Sequence, residues 1–228
     1  MHRRTYLTAA ATAGVIGTAG CLGSVLGDGG NGQTILEEPE GRQFSSSDLP
    51  YPAYGQQLPE VTLRAPLAER DVTTTEFDDR NVVMTFFYSN CNTVCPILIS
   101  SLKRVQDFAS ENGFADDVAF LAVTFDPQRD DAERLRQYAD TMNVDRDAGN
   151  WYFLRPDGRD RAKDVVQGTY GVTFERTQQS SAEEYMFNHL GLVVLANEQG
   201  VVERAYTGDG PKSKQLQADL ETLRAEQS

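Results

Sequence analysis

Histidine and cysteine are scarce in this chain of 228 residues, which has two of the former and three of the latter. His2 lies in the N-terminal segment, so His189 is the only imidazole available to a domain farther along the chain. The cysteines are Cys21, Cys91 and Cys95. This composition argues against sites built from several histidines and confines metal or thiol chemistry to very few positions.

Basic residues are also in the minority, with 21 Lys and Arg against 34 Asp and Glu and a net charge of -13. Because a phosphate backbone is bound by a basic face, this balance argues against nucleic-acid binding. An acidic surface attracts cations and basic partners, but it also keeps a protein soluble in high salt. We favour the second interpretation, so acidity alone does not indicate metal delivery.

Residues 1–20 have the layout of an export signal, with Arg3 and Arg4 before a run without charge. The paired arginines resemble a twin-arginine signal. The four residues that end at Cys21 resemble a lipobox, in which this cysteine becomes the lipidated first residue of the mature chain. The alternative is an uncleaved anchor, since the uncharged run continues to Leu26 and is long enough to span a bilayer. Both alternatives place the folded domain outside the cytoplasm, attached to the outer face of the cell membrane.

The rest of the chain divides into a polar segment and one domain. Residues 21–50 are rich in Gly, Ser, Asp and Glu with little periodicity, which predicts a flexible tether. Residues 51–228 are enough for a single domain with a proper core, and they contain no internal repeat.

Within this domain, apolar runs alternate with amphipathic stretches. Strands are predicted at residues 61–63, 72–77, 81–88, 118–125, 151–154, 191–196 and 201–206. Helices are predicted at residues 93–112, 130–142, 160–168 and 212–225. Strands that alternate with helices, followed by a closing hairpin and helix, predict an α/β fold. The specific expectation is a thioredoxin-like three-layer sandwich with a central mixed sheet.

Cys91 and Cys95 lie in the stretch "YSNCNTVCPI", directly after the first buried strand. Pro96 has no backbone N–H and is tolerated only in the first helical turn, so Cys95 is expected at a helix N-terminus, where the helix dipole favours a thiolate. The pair could be a structural disulfide, a redox dithiol or two ligands of a soft metal. A disulfide across so short a loop gains little closure entropy, which disfavours the purely structural alternative.

His189 precedes the predicted buried strand at residues 191–196. In a thioredoxin-like fold the loop before that strand faces the cysteine turn, so His189 can converge with Cys91 and Cys95. Thiolate and imidazole ligands together suit copper. Nearby, Asp126 and Asp130 flank a turn, and either a helix N-cap with a first-turn acid or a role near the metal would account for them.

Three motifs together make the chain similar to the Sco/SenC family, thioredoxin-fold proteins tied to copper insertion into cytochrome c oxidase. The motifs are "FFYSNCNTVCP", "VTFDPQRD" and "FNHLGLVVLANEQG". The resemblance covers about residues 60–215. It departs from the usual family pattern at Asn188, where an Asp is expected, and at Leu190, where a Ser is expected; the first change removes a charge next to the histidine and alters its surroundings.

The resemblance implies copper, as Cu(I) and/or Cu(II), bound by Cys91, Cys95 and His189. It also implies a redox-active Cys91–Cys95 disulfide, with Asp126, Asp130 and Asn188 as groups around the ligands. The partner it implies is the copper subunit of cytochrome c oxidase. A membrane-tethered chain would deliver copper to its CuA site, reduce its cysteines, or do both.

Two other functional classes fit the same residues. An exported thioredoxin-like reductase would need Cys91 and Cys95 but not His189. In thiol exchange, Cys91 is expected to be the more exposed of the pair and to attack, and Cys95 is expected to resolve the mixed disulfide. A copper sensor or storage protein would bind the metal without transferring it.

Overall fold

The computed structural model describes residues 33–177 and 185–227. The predicted export signal at residues 1–20, the predicted lipidation site Cys21 and the first part of the predicted tether lie outside the described residues. Within the described residues, no helix has both the length and the apolar character needed to cross a bilayer.

The described residues form nine strands and four α-helices. The strands are β1 (Thr62–Ala65), β2 (Arg70–Thr73), β3 (Asn81–Phe87), β4 (Val118–Thr124), β5 (Trp151–Leu154), β6 (Phe174–Thr177), β7 (Met186–His189), β8 (Leu192–Ala196) and β9 (Val202–Thr207). The helices are α1 (Val94–Glu111), α2 (Ala132–Thr141), α3 (Arg159–Ala162) and α4 (Ser213–Gln227).

Five strands build the central sheet in the order β5-β4-β3-β8-β9. β3 runs parallel to β4, and β4 runs parallel to β5, whereas β8 is antiparallel to both β3 and β9. Every residue of β3 and β4 is buried, as expected for strands covered on both faces. The predicted thioredoxin-like α/β fold with a mixed sheet is therefore confirmed.

Two predicted elements differ from the observed ones by more than two residues at an end. β2 begins two residues earlier than predicted, and it ends at Thr73, where a turn forms and the Thr73 N–H donates to the Glu76 carboxylate at 2.7 Å. The predicted helix at 160–168 begins as α3 and then widens into a π-helical stretch over Lys163–Thr169. A stretch of seven residues is too short for hydrophobic periodicity to distinguish a π-helix from an α-helix.

Part of the segment predicted as a tether lies against the folded domain. The side chain of Leu36 is buried, and the N–H groups of Ile35 and Leu36 donate to the carboxylate of Glu203 at 2.9 and 3.0 Å. Glu203 lies on β9 and is itself fully buried. A buried carboxylate requires such donors, but a sequence pattern does not reveal which distant N–H groups supply them.

Candidate metal centre

The cysteine turn connects β3 to α1. The N–H of Cys91 donates to the carbonyl of Tyr88 at 3.1 Å, and Cys95 lies in the first turn of α1. Both cysteines are buried and are free thiols in this structure. Thr93 occupies the N-cap position of α1 but makes no side-chain capping bond; its hydroxyl lies 3.5 Å from the sulfur of Cys91.

His189 is brought to the turn by a hairpin that the sequence did not predict. β6 and β7 pair antiparallel, and His189, the last residue of β7, lies opposite Phe174. Its Nε2 atom is 3.7 Å from Cys91 Sγ and 3.4 Å from Cys95 Sγ. The other ring nitrogen, Nδ1, lies 3.3 Å from the carbonyl of Leu190. With Nδ1 turned toward that carbonyl, Nε2 faces the two sulfurs.

The ligand atoms of Cys91, Cys95 and His189 all lie within 4.8 Å of one another. Two thiolates and one imidazole form a soft donor set, which selects metals such as Cu(I). A structural zinc site normally has four protein ligands, and this cluster of described residues offers three. The donor set therefore fits a soft ion of low coordination number.

Aromatic rings form the wall behind the imidazole. The ring centroid of His189 lies 5.8 Å from that of Tyr88 and 5.1 Å from that of Phe125. Tyr88 is 1% exposed, and burial raises the pKa of its hydroxyl to about 12. The phenol is therefore neutral at physiological pH and adds no charge to the site.

The two thiols differ in their protonation. A hydrogen bond from Cys95, and weaker ones from His189 and Thr93, lower the pKa of the Cys91 thiol to about 3, against the effect of burial. Burial, followed by the hydrogen bond to Cys91, raises the pKa of Cys95. One proton thus stays on Cys95, because its burial outweighs the helix dipole that was expected to favour a thiolate there, and Cys91 is the thiolate instead. This asymmetry is typical of reactive dithiols.

Asp126 and Asp130, the acidic groups predicted near the metal, contribute no atom to the cluster of three ligand atoms. Asp130 is fully buried, and its carboxylate accepts hydrogen bonds from the Ser89 N–H at 3.1 Å, the Ser89 hydroxyl and the Thr124 hydroxyl. Burial raises the pKa of Asp130. The helix N-cap is the next residue, Asp131, which accepts from the Arg134 N–H at 2.8 Å.

Asp126 and Asn188 have different surroundings. The carboxylate of Asp126 is buried, forms an ion pair with Arg129 and accepts a hydrogen bond from the Tyr185 hydroxyl at 2.6 Å. Asn188 is exposed on β7. Because side chains alternate along a strand, Asn188 faces away from the imidazole of His189.

Sequence reasoning missed two arginines that contact the segments around the ligands. Arg134 donates to Ser89 and Asn90 in the cysteine turn, and Arg129 donates to the carbonyl of Tyr185 next to β7. These contacts join residues 44 to 56 positions apart. Nothing in the local pattern marks either arginine, except that Arg129 lies inside the motif "VTFDPQRD".

Comparison with solved structures gives consistent matches. A SCO1/SenC family lipoprotein from Bacillus anthracis str. Ames matches with a TM-score of 0.61 and 18% identity, over 75% of this chain and 97% of that one. Bradyrhizobium japonicum ScoI with copper bound matches with a TM-score of 0.58 and 18% identity, over 75% and 99% of the two chains. BsSco, a member of the Sco family of cytochrome c oxidase assembly proteins, matches with a TM-score of 0.58 and 16% identity, over 76% and 96%.

At these identities the matches show a shared fold. A sequence comparison with curated proteins found no match. The family model for SCO1/SenC matches residues 67–225, which include both cysteines of the turn, the histidine hairpin and the whole central sheet. On this evidence the chain belongs to the SCO1/SenC family.

Proposed function

We propose that this chain is a membrane-tethered, extracytoplasmic copper-binding protein that acts in the assembly of cytochrome c oxidase. Copper is its cargo, and the acceptor is the CuA site of the copper subunit. The single observation that carries the proposal is the convergence of Cys91, Cys95 and His189 within 4.8 Å. The membership in the SCO1/SenC family supports the choice of metal and acceptor.

The chemistry of loading follows from the protonation of the free site. Cys91 already carries a negative charge, and Nε2 of His189 faces both sulfurs at 3.7 and 3.4 Å. Cys95 must lose its proton to become a second thiolate ligand, so loading releases one proton. Transfer is then an exchange of ligands with the acceptor, and the oxidation state of the ion does not change.

Thiol–disulfide exchange is a second function that the same site supports. The lowered pKa of Cys91 favours attack by its thiolate on a partner disulfide, which forms a mixed disulfide and releases one partner thiolate. Cys95 then loses its proton, attacks Cys91 and releases the second partner thiolate. The partner gains two electrons, and the Cys91–Cys95 disulfide forms. Reduction of the cysteines in the copper subunit would prepare them for the metal.

Attachment to the membrane is part of the same proposal. Residues 1–20 would direct export, and lipidation at Cys21 or an uncleaved anchor would hold the domain at the outer face of the cell membrane. The naming of the Bacillus anthracis relative as a lipoprotein supports this arrangement. Near the start of the described residues, the N–H groups of Ile35 and Leu36 donate to Glu203 on β9. The tether would therefore join the domain at β9.

The test is the affinity of the reduced full chain for Cu(I), measured against a competing chelator in the wild type and in His189→Ala. We expect one ion per chain in the wild type and an affinity lower by about tenfold, or about 1.4 kcal/mol, in the variant. Equal affinities would remove His189 from the site and leave a metal-free reductase as the better function. Tight binding without transfer to an oxidase copper subunit would indicate a sensor or storage protein.

A further inference from the structure

Residues 126–134, here called the bracket, comprise the connection from β4 to α2 and the first turn of α2, and they contact both halves of the metal centre. One half is the cysteine turn, which follows β3, and the other is the hairpin that carries His189. The sulfur of Cys91 and the imidazole of His189 come from positions 98 residues apart. The bracket makes hydrogen bonds to both halves. Arg134 donates to the cysteine turn, and Arg129 donates to the segment that leads into the histidine strand.

Arg134 holds the cysteine turn. Its Nε donates to the Ser89 hydroxyl at 2.7 Å, and its Nη2 donates to the Ser89 carbonyl at 3.2 Å and to Asn90 Oδ1 at 2.9 Å. The same Ser89 hydroxyl donates to Asp130, which also accepts from the Ser89 N–H. Ser89 is therefore held through both its main chain and its side chain, and Asn90 is held through its side chain.

Arg129 holds the histidine hairpin. Its Nη1 donates to the carbonyl of Tyr185 at 2.8 Å, and its guanidinium carbon lies 3.6 Å from the centroid of the Tyr185 ring. Asp126 completes the contact, because it pairs with Arg129 and accepts from the Tyr185 hydroxyl. Tyr185 directly precedes β7, whose last residue is His189.

The bracket is itself anchored to the core. Helix α2 buries Leu135, Tyr138 and Ala139, and the ring of Tyr138 stacks on Phe87 at the end of β3 with centroids 5.2 Å apart. An element fixed in this way can hold the cysteine turn and the histidine hairpin at a set distance from each other. Ligands that are already held in place lose less conformational entropy when the ion binds.

We propose that Arg129 and Arg134 are positioning residues, which act on the two halves of the metal centre separately. Arg129 sets the position of His189, and Arg134 sets the position of Cys91. The inference rests on the proposed function for the identity of the ligands. It adds that a single segment, which contributes no ligand, brings the thiols and the imidazole together.

The test is a set of double-mutant cycles on Cu(I) affinity with the full chain. Arg129→Gln and Arg134→Leu are each made in the wild type and in His189→Ala. Arg136→Leu is the matched control, since Arg136 lies on the same helix, is exposed and pairs with Glu133. In the wild type we expect the dissociation constant to rise by about five- to tenfold for either bracket variant, and by less than about twofold for the control.

The His189→Ala background separates positioning from a general loss of stability. Arg129→Gln is expected to have no further effect there, because the ligand that it positions is already gone. Arg134→Leu is expected to keep its effect, because Cys91 is still present. Equal losses for Arg129→Gln in both backgrounds, or bracket variants that match Arg136→Leu in the wild type, would overturn the inference.

Hydrogen exchange of backbone amides in the copper-free protein gives a readout that does not depend on the metal. Arg134→Leu should speed exchange at residues 89–91, and Arg129→Gln at residues 186–189, while exchange in β3 stays unchanged. If Arg129→Gln fails to fold because Asp126 is left as an unpaired charge, Arg129→Gln with Asp126→Asn replaces it. A wild type that binds no Cu(I) would refute the proposed function, whereas unchanged exchange at both sets of amides would refute the bracket.

Discussion

At the scale of single residues, the metal centre depends on a difference between two chemically identical side chains. Cys91 and Cys95 are four positions apart, but Cys95 is fully buried in α1, whereas Cys91 lies in the turn and is 7% exposed. Burial keeps the proton on Cys95, and the hydrogen bond that Cys95 donates stabilises the negative charge on Cys91. The same two sulfurs thus offer one ready nucleophile and one proton donor.

This asymmetry predicts how alkylation of Cys91 depends on pH. With its pKa lowered to about 3, Cys91 is a thiolate throughout the neutral range. Its alkylation rate in the reduced, copper-free protein is expected to change by less than about twofold between about pH 5 and pH 8. An ordinary thiol would react about tenfold faster for each unit of pH in that range. The rate at Cys91 is measured by peptide mass mapping with iodoacetamide.

Cys95→Ala supplies the control for this prediction. It removes the hydrogen bond that contributes most to the low pKa, so the pKa of Cys91 should rise and the rate should become dependent on pH. A steep pH dependence in the wild type, with a midpoint near 9.0, would show that Cys91 is an ordinary thiol.

At the scale of secondary-structure elements, the position of His189 depends on a close approach between the residue that precedes β8 and the residue that follows β9. Gly191 follows the hairpin and precedes β8. A Cβ atom on Gly191 would lie 1.9 Å from the carbonyl oxygen of Gly208 and 3.3 Å from the Val94 side chain at the start of α1. The absence of a side chain at this position therefore lets the histidine segment lie against both β9 and the cysteine helix.

Gly191→Ala tests this approach. Backbone atoms at Gly208 cannot move aside as a side chain would, so the variant must shift the segment that follows His189. We expect a loss of about 1–3 kcal/mol in the free energy of unfolding, as for an overpacked site, and a weaker affinity for Cu(I). Gly158→Ala is the control, because a Cβ there meets nothing within 4 Å and the backbone is extended. Chemical denaturation gives the stability, and equal stabilities of the two variants would contradict the prediction.

At the scale of the whole molecule, the N-terminal segment and the metal centre lie at opposite ends of the sheet. Glu203, which holds Ile35 and Leu36, is at the end of β9 where Ala196 pairs with Val202 and Val82. The cysteine turn follows the other end of β3, where Tyr88 is six residues beyond Val82. At a rise of about 3.3 Å per residue, the two sites are about 20 Å apart along the strand.

Glu203→Gln tests whether the N-terminal segment stabilises the fold without affecting the metal. The amide group of Gln would place a donor against an N–H group that now donates to a carboxylate oxygen. Leaving such buried groups unpaired should lower the free energy of unfolding by about 1–3 kcal/mol. The affinity for Cu(I) should stay within about twofold, since the metal centre is at the other end. Glu198→Gln, in the turn between β8 and β9, is the control. A large change in copper affinity would show that the two ends are coupled.

The sequence was sufficient to predict the class of fold and the kind of site. Buried apolar runs such as Asn81–Phe87 and Val118–Thr124 are strands with nearly the predicted bounds, because a strand covered on both faces leaves a local pattern. Pro96 placed Cys95 in the first turn of α1 for an equally local reason, the missing N–H of proline. His189 followed by elimination as the only imidazole beyond the N-terminal segment.

Other features were decided only by the tertiary structure. The hairpin of β6 and β7, the Nε2-to-sulfur distances of 3.7 and 3.4 Å and the retention of the proton on Cys95 were not predicted. Neither were the contacts of Arg129 and Arg134, nor the docking of Ile35 and Leu36 on Glu203. The physical reason is the distance along the sequence over which each kind of interaction acts. Periodicity, turn chemistry and proline geometry act over a few residues and can be read from the sequence. Hydrogen bonds between groups 40 to 170 residues apart depend on how the packed elements meet, and the fold alone sets that.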